Sequence, residues 1–291
     1  MNEKPSFVSE VMEWAQTLPV EEISLSESFS NQWALHILSK NETDLRVNLL
    51  PLVEEKKTLS SSAETEGKPT LQVTLWEDIW HTKRSIVQSR IKAQLGISER
   101  IPARLTQARR LDRPTTLDFL QENHLQDAVL SKFKYGLFLP SKHFRVLQNP
   151  PEADALLVAV GTFARPRQFV RAGHPHYSFE LVRYANLLNT TVVGGLDKLL
   201  SHFTKAHQPD DVMTYADLEW STGRSYLKLG FVPTGDTPPQ RFWINPQTME
   251  RYYPHRLPDG LSEQTASERG YIPLFNAGSR KFVKVMKVPH L

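Results

Sequence analysis

Residues 192–203 read VVGGLDKLLSHF, and after TKAHQPDD residues 212–233 read VMTYADLEWSTGRSYLKLGFVP. Gly194 and Gly195 follow an apolar pair and open a run in which Leu196, Leu199, Leu200 and Phe203 recur at helical spacing. This pattern predicts a strand entering a helix through a glycine turn. The first amides of such a helix lack internal partners and its dipole favours an anion, so a phosphate fits there, and Lys198 in the first turn is placed to meet it or to lie exposed. Val212 to Ala216 then reads as a buried strand, and Ser221 to Lys228 as a short helix ended by Gly230. Strand, helix, strand, helix in close succession predicts an α/β fold.

The 291 residues suffice for two modest domains, and a 40% hydrophobic content is that of a globular protein. No apolar run approaches a membrane span and MNEKPSFVSEV lacks a signal-peptide core, so the expectation is a cytoplasmic protein without membrane contact. The absence of cysteine excludes disulfides, thiolate metal sites and a cysteine nucleophile. Charge is uneven: residues 1–67 hold 5 Lys and Arg against 12 Asp and Glu, a net of −7, and the remainder carries +10. A basic body suits a polyanionic partner.

Along the chain, Phe7 to Leu18 has helical periodicity with Ser6 placed as its cap, and Ser26–Ser39 and Leu45–Val53 read as strands. Residues 54–68 are polar and small, a loop. Thr70–Leu75 alternates as a strand that feeds a long helix ended by Gly96. Its cations Lys83, Arg84, Arg90 and Lys92 either track a nucleic-acid backbone or form a solvated face. The acidic pair Glu77 and Asp78 either binds metal or, more simply, stabilises the first turn of this helix. Further on come a helix capped by Thr115 or Thr116, strands at Tyr135–Leu139, Ala155–Phe163 and Tyr177–Ala185, a hairpin in RFWINPQTMERYY, and a final hairpin around NAG at 276–278.

The ending SYLKLGFVP resembles the closing motif of the GNAT acyltransferases. The resemblance implies a mixed sheet flanked by helices, an acetyl-CoA or other acyl-CoA donor held at Gly194, Gly195, Leu196 and Lys198, and Tyr226 as proton donor to the departing thiolate. The run WEDIW into KRSIVQSRI resembles the end of the Vsr-like nuclease domain of phage homing endonucleases, with His36 where an aspartate is expected, implying a degenerate nuclease-like region. His124 in NHLQD, Glu180 and Arg183 in FELVRY, Asp217 in TYAD and Tyr226 resemble the motifs of phage Mom-type DNA modification proteins, implying an amine acceptor on a DNA base.

The expected organisation is an N-terminal region over 1–101, a GNAT-like domain over 102–256 and a C-terminal hairpin extension over 257–291. The catalytic candidates are Tyr226, Asp217 and His124, and DNA is the expected partner. Asp217 orients or deprotonates the amine, or else caps the helix near Ser221 or pairs with Arg224. Glu180 and Arg183 form an ion pair. A metal held by His124, Asp217 and His174 or His176 has no spacing signature, and no metal is assigned. Trp220, Trp243, Phe242, Tyr252 and Tyr253 either stack on a base or pack a core. The alternative function is a non-catalytic DNA-binding protein of mobile-element origin.

Overall fold

The computed structural model describes residues 5–28, 32–52, 71–171, 173–258 and 260–286. The loop expected over 54–68 lies outside the described residues. Helix α1 (Ser6–Gln16) buries Phe7, Val8, Val11 and Ala15 as one stripe. It starts after Pro5, and Ser6 is its first residue rather than a side-chain cap. Strands β1 (Glu22–Ser28), β2 (Gln32–Leu38) and β3 (Asp44–Leu50) form an antiparallel meander, and β4 (Leu71–Trp76) joins β3 in parallel. Alternation along β3 turns Leu45, Val47 and Leu49 inward, where they meet Leu35, Ile37, Val73, Leu75 and the buried residues of α1.

Helix α2 (Glu77–Gln94) closes this core with Trp80, Ile86, Val87 and Ile91. The first-turn acids have tertiary partners beyond the helix end: Glu77 Oε2 accepts from the Leu52 amide at 2.7 Å, and Asp78 is fully buried in a two-pronged pair with Arg251.

Next come β5 (Glu99–Pro102), β6 (Gln107–Arg110), α3 (Arg113–Asn123), β7 (Phe133–Pro140), β8 (Ala155–Phe163), β9 (Arg167–Arg171), β10 (His174–Asn186), β11 (Thr190–Val193), α4 (Gly195–His207), β12 (Asp211–Asp217), α5 (Arg224–Lys228) and β13 (Val232–Asp236). Beyond these, β14 (Arg241–Ile244), β15 (Arg251–Tyr252), α6 (Glu263–Glu268) and β16 (Ile272–Phe275) precede β17 (Ser279–Val285). The main sheet runs β13-β17-β12-β10-β8-β7-β6, with β9 attached to β10. Its only parallel neighbours on this path are β10 and β12. This is a mixed sheet.

Helices cover both faces of the sheet. Leu199, Leu200 and Phe203 of α4 pack with Ala159 and Phe163, whereas Phe119 and Leu120 of α3 pack with Val160 and Ala185. Phe163 and Phe203 stack at 3.8 Å between ring centroids. The α3 cap is Asp112, which accepts from the Thr115 amide at 2.8 Å; the threonines expected to cap lie inside the helix.

Two pairings differ from expectation. β11 leaves the main sheet and pairs in parallel with β5, from Thr190 opposite Glu99 to Val193 opposite Pro102. The expected hairpin around 276–278 does not form, because β16 pairs with β14 in a three-stranded sheet while β17 enters the main sheet between β12 and β13. Residues 237–278 are therefore an insertion between two strands of the main sheet.

Candidate active site

Strands β10 and β12 begin side by side and then part. Their register holds from Ser178 opposite Asp211 to Glu180 opposite Met213 and stops there, although both strands continue. The register of β10 against β8 also shifts between Leu181 and Arg183, a bulge that bends the strand. The result is a wedge between two parallel strands, bridged near its apex by the Thr214 hydroxyl of β12, which donates to the Leu181 carbonyl of β10 at 3.0 Å. Side chains at the ends of both strands converge on this wedge.

The predicted glycine turn is formed. Gly194 has a left-handed φ of +78°, which suits glycine, and it is exposed along with Val193. A Cβ on Gly195 would overlap the Tyr184 hydroxyl, so the backbone there approaches the Tyr184 side chain as closely as only glycine allows. The side chains of the turn behave otherwise than expected. Leu196 packs into the main core. Lys198 Nζ donates to the Ala103 carbonyl at 2.8 Å and to that of Thr106, so it ties α4 to the 3-10 turn at Ala103–Leu105 instead of facing an anion. Burial lowers its pKa. Asp197 adds an acid to the first turn of α4, which stabilises the helix and opposes an anionic ligand. The turn thus fits a phosphate through its backbone alone.

Tyr226 lies in α5, which follows the left-handed Gly223, and its ring packs with Phe231 and Phe282 at 5.6 and 5.5 Å. Burial raises its pKa, partly offset by a hydrogen bond with Thr214 and by the Arg90 charge, so its phenol is neutral near pH 7. Tyr184 at the end of β10 is its neighbour. Burial and Tyr226 push the Tyr184 pKa up, and the Tyr184 hydroxyl donates to Asn186 Oδ1 at 2.9 Å.

Asp217 ends β12. Its Oδ1 accepts from the Glu219 amide at 3.0 Å and its Oδ2 from the Gln126 side-chain amide at 3.3 Å. It does not cap α5, whose N-cap is Gly223. His124 is the extended C-cap of α3 rather than a residue within the helix. Burial first, then Arg183 and Arg90, lower its pKa to about 3. Its Nδ1 lies 3.0 Å from both the amide and the carbonyl of Gln126. Gln126 thereby links His124 to Asp217.

Three further residues belong to this cluster. Arg90 reaches in from α2 with its guanidinium 5.5 Å from the Trp220 ring, its buried Nε has no hydrogen-bond partner among the described residues, and burial lowers its pKa, with the Asp217 carboxylate opposing. Glu219 is 5% exposed and accepts from Trp76 Nε1 at 2.9 Å. Burial and then Asp217 raise its pKa to about 7, with Arg251 opposing. Tyr184, the third, sits on an alternating strand where a tyrosine reads as packing. No local pattern distinguishes any of the three.

The four cations expected to face nucleic acid have partners within the chain. Lys83 pairs with Asp127 at 2.9 Å and donates to the Leu125 carbonyl, Arg84 pairs with Glu10, Arg90 is turned inward, and Lys92 reaches Asn189 Oδ1 at 3.4 Å. Helix α2 thus docks the N-terminal sheet onto the remainder of the chain.

Arg183 does not pair with Glu180; it donates to the carbonyls of Val182 and Asp127 at 2.9 and 3.3 Å. His176 bonds Asp211 at 2.6 Å, and no group of three metal-ligating side chains occurs among the described residues. Trp220 (5% exposed), Phe242 (7%) and Trp243 (1%) are core residues, so none offers a face to a base.

A hollow of about 190 Å³ beside the cluster is lined by Gln94, Trp220, Ser221, Thr222, Arg224 and Ser225, among others. No helix among the described residues is long and apolar enough to cross a membrane.

The sequence matches no family model and no curated protein. Solved structures align with parts of the chain. One, described as histone acetyltransferase HPA2 and related acetyltransferase from Corynebacterium glutamicum, aligns over 64% of this chain and 99% of its own at 15% identity and a TM-score of 0.36. A second, a KacTA–DNA complex, aligns over 45% of this chain and 87% of its own at 20% identity and a TM-score of 0.30.

Proposed function

We propose that the protein is a GNAT-type transferase that moves an acyl or related group onto an amine, and that the amine belongs to a base in DNA. The observation that carries this reading is the wedge between β10 and β12, with the neutral Tyr226 phenol and the Asp217 carboxylate at its end. An acyl-coenzyme A supplies its acyl group already activated as a thioester. The Gly194–Gly195 turn and the first amides of α4 would hold its pyrophosphate, without help from Lys198.

Tyr226 keeps its proton at neutral pH and delivers it from Oη to the departing thiolate. Asp217 accepts the amine hydrogen through Oδ2, where the 3.3 Å bond from Gln126 is long enough to be exchanged. His124, held neutral by burial, orients the acceptor and is too weakly basic to act as the general base. The net +10 of residues 68–291 supports a polyanionic acceptor.

A thermal-shift titration with acetyl-coenzyme A and free coenzyme A tests the reading. A ligand at a hundred times its Kd adds about 2.7 kcal/mol of native stability. No shift with either ligand sinks it. One observation favours a second reading: the acid at Asp197 and the occupied Lys198 suit a fold that has given up coenzyme chemistry and serves DNA binding alone. On that reading the N-terminal sheet is a non-cutting relative of the Vsr-like nucleases, its strand carboxylates confined to β1 and to Asp44 at the start of β3 among the described residues. DNA binding without a coenzyme response would favour it.

A further inference from the structure

The β9–β10 hairpin stands apart from both cores. All five residues of β9 are exposed, and β9 pairs only with the first part of β10, from Arg167 opposite Ser178 to Arg171 opposite His174. From Ala164 to Ser178 the chain carries three arginines and no acid. The side chains of Arg165, Arg167 and Arg171 make no ion pair or hydrogen bond among the described residues, unlike the cations of α2.

Strand alternation sorts this ribbon into two faces. Arg167, Phe169 and Arg171 share one face with their cross-strand neighbours Ser178, His176 and His174. Two residues along a strand span about 6.6–6.8 Å, so the two guanidinium stems flank Phe169 at even intervals. Phe169 is 45% exposed, and its ring rests 4.8 Å from that of His176, which Asp211 holds in place. An exposed aromatic is thus fixed between two free arginines. Charges on an edge strand also discourage pairing with other chains, but either sign would serve that end. Here every charge is an arginine, the side chain whose planar fork matches phosphate and the guanine edge.

We propose that the β9–β10 hairpin is a ribbon that enters the major groove of duplex DNA, with Arg167 and Arg171 on phosphate or guanine edges and Phe169 packed between them. Two strands about 4.8 Å apart fit a groove about 12 Å wide, which admits a two-stranded ribbon. The inference rests on the DNA-borne acceptor proposed above. DNA held by this arm is held by the same strand, β10, that forms one wall of the wedge.

The test is fluorescence anisotropy of a short duplex with the full chain, between roughly 50 and 200 mM salt. The variants are Arg167→Gln with Arg171→Gln, and Phe169→Ala. Each phosphate contact contributes about 0.9 to the slope of log affinity against log salt, so the double variant should lower the slope by about 1.8 if both arginines meet phosphate. Its affinity should fall at least roughly tenfold, and Phe169→Ala should weaken binding severalfold, with coenzyme affinity unchanged in all.

Wild-type binding that the double variant matches within about twofold overturns the arm while leaving a DNA acceptor standing. Tighter binding to the single strand overturns groove entry, and a change of oligomeric state without loss of DNA affinity reassigns the arm to self-association. If the wild type binds no duplex, the DNA-borne acceptor falls with the arm, and coenzyme titration still decides on transfer itself.

Discussion

Replacing Arg251 by methionine should destabilise the protein more than loss of a surface ion pair would. Asp78 is fully buried, and Arg251 approaches it in a two-pronged arrangement, with Nη2 to Oδ1 at 2.9 Å. Burial works against the Arg251 charge, but the bond to Asp78 and the charges of Asp78, Glu219 and Asp217 outweigh it and raise its pKa. The methionine variant strands the carboxylate in the interior, which costs about 3–5 kcal/mol. At roughly 2–4 °C per kcal/mol for a chain near this size, the melting temperature should drop by about 6–20 °C. The double variant Asp78→Leu with Arg251→Met removes both charges and should recover most of the loss, because a buried pair replaced by apolar groups is often neutral. Thermal melts of wild type, Arg251→Met, Asp78→Leu and the double variant form the cycle. The reasoning is refuted if Arg251→Met melts within about 2 °C of wild type, or if the double variant loses the sum of the two single losses.

Other expectations follow from the site. Gly195→Ala drives a methyl into the Tyr184 hydroxyl and should weaken coenzyme A binding at least about tenfold by calorimetry, a 1.4 kcal/mol effect; unchanged affinity would detach the turn from the coenzyme. Tyr226→Phe should lower turnover by about a hundredfold while coenzyme affinity holds, and an equal loss of binding would make Tyr226 a packing residue only. Glu219→Gln should flatten the pH dependence of stability. With a folded pKa of about 7 against an ordinary 4.5, the native state binds the extra proton, so wild-type stability is greatest below about pH 4.5 and declines as pH rises through 7. The variant's advantage in urea unfolding should therefore grow from pH 5 to pH 8, and a constant difference would show that Glu219 does not titrate in this range. Asp112→Ala should lower the melting temperature through loss of the α3 cap, and an unchanged melt would show that the cap does not hold the helix end.

The local parts of the architecture were legible in the sequence. Alternation located β7 and β8, and the apolar pair, the two glycines and the leucine spacing located the turn into α4, because each signal lies within a dozen residues. What the sequence concealed was set by distant partners. Lys198 reads as a phosphate ligand until the carbonyls of Ala103 and Thr106 are folded against it. The cations of α2 read as an open face until Glu10, Asp127 and Asn189 arrive from elsewhere. Glu219 carries no local signal, since its burial depends on Trp76 and on the insertion that brings Arg251. The final strand was assigned to a hairpin because the NAG turn is a local signal, whereas the pairing of β17 with β12 and β13 has no local trace.

The place of β17 has a kinetic consequence. Among the described residues β13 pairs with no strand other than β17, and β12 meets β17 from Asp211 opposite Val285 to Asp217 opposite Ser279. During synthesis the chain therefore exposes one edge of β12 and the whole of β13 until the segment ending at Val285 has emerged. Closing so long a loop is entropically slow, and unpaired edges held open in the meantime invite association with other chains. A nascent chain arrested before Ser279 should be a protease-sensitive, chaperone-bound species, and release of β17 should mark the point at which the wall of the wedge becomes rigid.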